Sequence, residues 1–221
     1  MNTSNSSRFP TPPSFEELQE QLRTLLDLVR EALQEGTAHV PEYFRSEASP
    51  IDYALAPNLV RYKAKKFLIA SGEDSAKDEE SYFEAEAISN NGICVCVPGF
   101  EVRVLKSADD GSVPPPGISV TRRNLYNQIQ AKFDFAKPVW GVIVHWLVDR
   151  DYSLLKVSVA IPSSFAKSDQ GKQEVVCYFD QPVWIKPAKP NVTPIDRQPQ
   201  VTDTDIPGIA LEKPEEKTGD E

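Results

Sequence analysis

Six apolar residues near the start of the chain, Phe15, Leu18, Leu22, Leu25, Val29 and Ala32, recur at intervals of three and four. That spacing keeps them on one side of an α-helix. Leu26, Leu28 and Leu33 widen the stripe. Ser14-Phe-Glu-Glu17 has the form of a capping box, in which the serine and the glutamate each satisfy the other's backbone N–H. Gly36 suits a left-handed stop. The spacing therefore predicts an amphipathic helix over 14–35. Such a stripe has to be covered. It packs on its own domain, as wide stripes do in globular proteins, or it joins a protein partner or a second copy as a short coiled coil.

Residues 37–56 read as irregular, with Pro41 and Pro50. A second helix is expected from Pro57, a residue suited to a first helical turn, to Gly72. It carries the densest basic cluster in the chain: Arg61, Lys63, Lys65 and Lys66. On a helix these four cover a wide arc, which suits a solvated face. Arg61, Lys65 and Lys66 are also the candidates for contacts to a phosphate or a partner.

Beyond residue 82 the apolar period changes to two. The segment 82–88 alternates, 93–97 is a continuous apolar run, and Pro98-Gly99 reads as a turn into a returning strand over 100–106. A long Pro- and Gly-rich connection, 107–121, contains the run Pro114 to Pro116 and leads to a short helix over 122–132. Arg122 and Arg123 open that helix, where cations oppose the macrodipole. Both are candidate contacts for a partner or an internal acid. Strands follow over 140–148, 152–161 and 174–185, with Pro182 marking an edge or a bulge. Helices grouped first and hairpins later define an α+β class with a mainly antiparallel sheet of about five to six strands. Two further helices accompany the N-terminal one.

The 221 residues include 24 Lys+Arg and 33 Asp+Glu, for a formal net charge of −9. Residues 14–186 retain −6 of it and are expected to form one domain, helical over 14–72 and β-rich over 82–186. The flanks 1–13 and 187–221 are rich in proline and polar residues and are expected to be disordered. An acidic chain has no general attraction for phosphate backbones. Nucleic-acid contact would have to run through the local patch Arg61–Lys66. No apolar run is long enough to span a bilayer. With no secretory signal pattern and three cysteines, the expected location is cytoplasmic.

The chain holds no phosphate loop, dinucleotide fingerprint or paired-histidine zinc helix, so no cofactor is expected. Histidine chemistry could use only His39 or His145. His145 shares a strand face with Ile143 and Leu147 and reads as a structural residue. Cys94, Cys96 and Cys177 with His145 contain zinc-ligand types, but Cys94 and Cys96 lie in a strand rather than on a turn, and no metal is expected. The function expected from the whole is a binding or regulatory module. The alternative is a metal-dependent nuclease or hydrolase. There, Glu86 and Glu101 would hold Mg²⁺ and Arg103 would stabilise charge. Glu101-Val102-Arg103 loosely resembles an acid-x-lysine nuclease element, with arginine in the place of lysine.

Overall fold

The computed structural model describes residues 11–75, 84–88, 92–128, 140–167 and 173–187. Residues 1–10 and 188–221, and with them most of the two proposed tails, lie outside this set, as do residues 129–132 of the expected third helix. Four helices and six strands follow in the order α1 (Phe15–Gln21), α2 (Arg23–Ser46), α3 (Ala56–Ser75), β1 (Glu84–Ile88), β2 (Gly92–Val97), β3 (Phe100–Lys106), α4 (Val120–Tyr126), β4 (Trp140–Val148), β5 (Leu154–Lys167) and β6 (Gln173–Ile185). The class is α+β.

The capping box forms as its residue types require. Glu17 N–H donates to Ser14 Oγ over 3.2 Å, and Ser14 N–H donates to Glu17 Oε2 over 2.8 Å. The chain is helical through α1, breaks at Leu22 (φ −101, ψ 8) and resumes as α2. The break is slight, because Leu22 N–H and Leu26 N–H still donate to the carbonyls of Leu18 and Leu22. Leu18, Leu22, Leu25, Leu26, Val29, Ala32 and Leu33 are all buried. The stripe is thus covered within one chain.

The largest departure from the sequence reading is the end of this helix. It does not stop at Gly36 but runs on to Ser46, so the first half of the stretch 37–56, expected to be irregular, is helical. Gly36 is a contact residue here. A Cβ at this position would lie 2.8 Å from the carbonyl oxygen of Val60 and 3.1 Å from its Cγ1, so α3 crosses α2 where there is no side chain. Pro41 supplies no N–H to the helix, yet the buried face continues through Thr37, Val40 and Phe44. Burial on that face outweighs the missing bond. Gly36→Ala is accordingly expected to destabilise the fold by about 1–3 kcal/mol, the cost of overpacking, although alanine is the better helix former by about 1 kcal/mol. Urea denaturation of the two proteins measures the sign.

Other boundaries shift as well. The second helix, α3, extends three residues past Gly72. The third, α4, begins at Val120 with Ser119 as its N-cap. Strand β5 continues through the polar stretch to Lys167, because that stretch pairs with β6 as far as Gln173.

The strands lie in the sheet in chain order, β1 to β6. All neighbours are antiparallel except β3 and β4, which run parallel with Phe100 opposite Trp140 and Lys106 opposite Trp146. A parallel pair needs a crossover, and the loop after Lys106 together with α4 provides it. Helices α1, α2 and α3 cover one face, over Val95, Val102, Val144, Trp146 and Val159 among others. The smaller α4 packs Leu125 and Tyr126 on the other face, against Leu105, Ile143 and Ala160. The two sheet edges are β1 and β6, and Pro182 lies on the latter. Among the described residues, no helix is long and apolar enough to cross a membrane.

Candidate functional site

The face of the sheet that carries α4 is where polar groups are buried. His145 stands mid-strand on β4, fully buried, with Leu105 opposite on β3 and Ser158 opposite on β5. Its two ring nitrogens have different partners. Ser107 Oγ lies 2.8 Å from Nδ1, and Asp180 Oδ1 lies 2.8 Å from Nε2. Ser107 is the first residue after β3, and Asp180 is in β6. The row therefore joins residues from three strands across the sheet.

The chemistry of the partners assigns the protons. An ionised carboxylate only accepts, so Nε2 carries the hydrogen and donates it to Asp180. In the neutral tautomer this leaves Nδ1 as a lone pair that accepts from the Ser107 hydroxyl. A neutral imidazole is fully satisfied by this pair. Sequence reasoning found His145 but neither partner, since they lie 38 and 35 residues away in the chain. Asp180 did leave a trace: it is the charge that ends the run from Val175 to Phe179.

Serine, histidine and aspartate are the components of a hydrolytic triad, but their order of exposure is inverted here. The Asp180 side chain is 31% exposed, whereas Ser107 is 5% exposed and His145 is not exposed at all. A nucleophile has to meet its substrate, and in this row the carboxylate faces outward while the hydroxyl is buried.

Asp180 opens onto a cleft between the loop after β3 and the strand β6. The cleft has a volume of 470 Å³, and its walls include Asp110, Ser112, Pro115, Glu174, Cys177 and Asp180. The loop wall is held in place by its own bonds. Ala108 N–H donates to the Ser112 carbonyl, Ser112 N–H to Asp110 Oδ1 over 3.0 Å, and Lys156 Nζ to the Gly111 carbonyl over 3.3 Å. The Tyr126 hydroxyl donates to the Pro114 carbonyl, and Gly117 N–H donates to Gln173 Oε1 over 3.1 Å. Three carboxylates, Asp110, Glu174 and Asp180, are among its lining residues. A second hollow of 380 Å³ lies between α2 and the β4–β5 turn, with Gln34, Pro41, Asp151, Trp184 and Lys186 around it. It mixes both charges.

Burial, and then the Asp180 carboxylate, push the Cys177 thiol up to about 11. An unfolded thiol titrates near about 8.5. The neutral thiol therefore contributes stability that is complete below about pH 8.5 and is lost as pH rises towards 11. Two results are expected. Iodoacetamide modifies Cys177 more than tenfold slower than a free thiol at pH 8, because so little thiolate is present. Urea midpoints fall between pH 8 and pH 10.5, in a direction that Cys177→Ser makes less steep.

The residues singled out from sequence have varied surroundings. Glu101 and Arg103 meet on one face of β3, with Arg103 Nε and Nη2 at 2.9 and 2.6 Å from Glu101 Oε1. The Cys94 Sγ lies 3.7 Å from the same oxygen. Glu86 pairs through its backbone with Cys94, which pairs in turn with Arg103, so these three positions form one row. The Glu86 side chain lies outside the described residues. Arg61 turns back on its own helix: its Nε donates to the Pro57 carbonyl, its Nη2 to Asn58 Oδ1, and burial lowers its pKa. Lys66 lies 5.2 Å from the Tyr62 ring centre, and Lys65 is half-buried. Because α4 begins at Val120, Arg122 and Arg123 do not open the helix as expected; Arg123 lies in its last turn, where a cation suits the macrodipole, and its Nε donates to the Gly117 carbonyl over 2.8 Å. Arg122 is half-buried beside it.

His39 sits on α2, with Nδ1 4.0 Å from Glu42 Oε2. Cys94 and Cys96 lie on β2 and Cys177 on β6, four strands away, so the sheet itself separates them. Burial raises the Cys94 thiol far above its usual range. Among the described residues, no three His, Cys, Asp or Glu side chains are grouped to hold a metal. No family model, no curated protein and no solved structure matches this chain.

Proposed function

We propose that the chain is a binding module whose ligand seat is the cleft between the loop after β3 and β6, and that the group it takes is a cation such as an ammonium or guanidinium. The observation that carries this reading is the Asp180 carboxylate, fixed from behind by the buried His145 and set in the wall of a 470 Å³ hollow. A carboxylate oriented in advance loses little freedom when it binds. Glu174 and Asp110 add negative potential around it. A cleft lined by one sign of charge concentrates the opposite ion.

The exposure order of Ser107, His145 and Asp180 supports binding rather than hydrolysis, because the buried end is the one that would have to react. Agmatine, which carries both an ammonium and a guanidinium, is the probe. Titrated into the isotopically labelled protein, it is expected to shift the resonances of Asp110, Glu174 and Asp180, and to bind less well as salt rises. A charge-assisted bond is worth about 1.5–3 kcal/mol, so Asp180→Asn should weaken binding by about tenfold or more. Equal binding to the wild type and to Asp180→Asn would remove the proposal.

A further inference from the structure

We propose that the outer edge of β6 receives an extended basic peptide, which adds to the sheet as a further strand and sends alternate side chains into the acidic cleft. This rests on the cleft being the ligand seat and states what kind of molecule delivers the cation.

The first observation is the edge itself. Among the described residues β6 is the last strand of the sheet, and it has 13 residues, about 40 Å of extended chain. One side of its backbone pairs with β5. On the other side, alternate N–H and C=O groups point outward, a ready template for another strand. Natural edges are usually blunted by bulges, prolines or lysines. On β6 itself such devices begin at Tyr178, although β5 has an extra residue, Ser163, opposite Val176 and Cys177. The pairing skips Tyr178 and Val183, which are bulged, and Pro182 lies between them. The first half, Gln173 to Cys177, has no proline, no lysine and no skipped residue of its own.

The second observation is what flanks that half. Val175 and Cys177 line the cleft with Glu174 and Asp180. Val176 and Tyr178 alternate with Val175 and Cys177, and each is more than half exposed. A strand laid beside 173–180 would meet Asp110 and Asp180 on the cleft face, and Val176 and Tyr178, with Glu174 beside them, on the other. Its side chains alternate in the same way. The matching sequence therefore alternates basic and apolar residues, with main-chain bonds supplying affinity and alternate pockets supplying selectivity.

Charge selects the occupant. Residues 187–221 of this chain carry 4 basic and 8 acidic residues, which the cleft repels. A second copy would bring the same acids to the same edge.

The probe is a fluorescein-labelled eight-residue peptide of alternating lysine and valine, titrated into the full chain by anisotropy. Amide exchange is followed at Glu174–Cys177. Binding should slow exchange there. A glutamate–valine peptide should bind at least tenfold more weakly. Val176→Lys, at an exposed position that the fold does not need, should weaken the lysine peptide about tenfold. Two further peptides are N-methylated, one at the lysines and one at the valines. Only one set of N–H groups can face β6, so one of the two should lose binding by tenfold or more.

If both methylated peptides bind as well as the parent, or if exchange on β6 does not change, the added strand is refuted. Should agmatine still bind in that case, the cleft stands without it. Agmatine and peptide both failing to bind would remove the cleft reading and this inference together. A dimer that Val176→Lys dissolves would assign the edge to a second copy and overturn the inference.

Discussion

Leu22→Ala and Leu25→Ala are each expected to destabilise the protein by about 2–5 kcal/mol, the range for large-to-small changes in a packed core. Leu22 is 2% exposed and Leu25 4%. Both belong to the main core cluster, Leu22 at the break between α1 and α2 and Leu25 in the first turn of α2. The effect should appear as a lower urea midpoint with an unchanged slope, since the fold would lose stability without changing the surface it exposes. Sedimentation should give the same mass for wild type and variants, because the stripe is covered within one chain. A lower mass with undiminished stability would mean that these leucines join two chains instead.

The second large effect is expected at His145. Replacing it by leucine keeps much of the volume but leaves the Ser107 hydroxyl and the Asp180 carboxylate without their shared partner. The buried Ser107 hydroxyl left unpaired costs about 1–3 kcal/mol. The Asp180 carboxylate reaches the cleft and stays partly solvated, so the expected total is about 1–3 kcal/mol. The double change His145→Leu with Ser107→Ala should recover part of it, because it removes the orphaned hydroxyl as well. Thermal or urea melts of the four proteins form a double-mutant cycle whose coupling energy tests the bond directly. Additive losses would show that the 2.8 Å contact contributes nothing.

The class of fold was legible because the apolar period changes once along the chain, from about 3.6 to 2. Strands β3 and β4 were legible to the residue, since Pro98-Gly99 and the flanking polar segments punctuate them. The length of α2 was not. Gly36 and Pro41 are helix breakers by local preference, and only the close approach of Val60 explains why glycine is there. Nor was the parallel pairing of β3 with β4, because an alternating pattern states which face is buried but not which neighbour is bonded.

The candidate site was less legible still. His145 was visible as a polar residue on an apolar face, but its bonds reach across three strands. The surroundings of the basic residues were not legible either. Arg61 and Arg123 looked like ligand contacts, and their guanidinium groups bond to nearby carbonyls of their own chain. Charge pattern counts cations and says nothing of where each one points.

The chain order of the strands has a kinetic consequence. With one parallel junction, the sheet consists of two local meanders, β1–β3 and β4–β6, joined along a single line. Each meander closes mostly through short loops, so its pairing is fast to find. The junction closes the long crossover and brings together residues about 40 apart, such as Phe100 and Trp140. The rate-limiting step in folding should therefore be the closing of that line. Val102→Ala and Val142→Ala, on either side of it, should therefore slow refolding more than they speed unfolding.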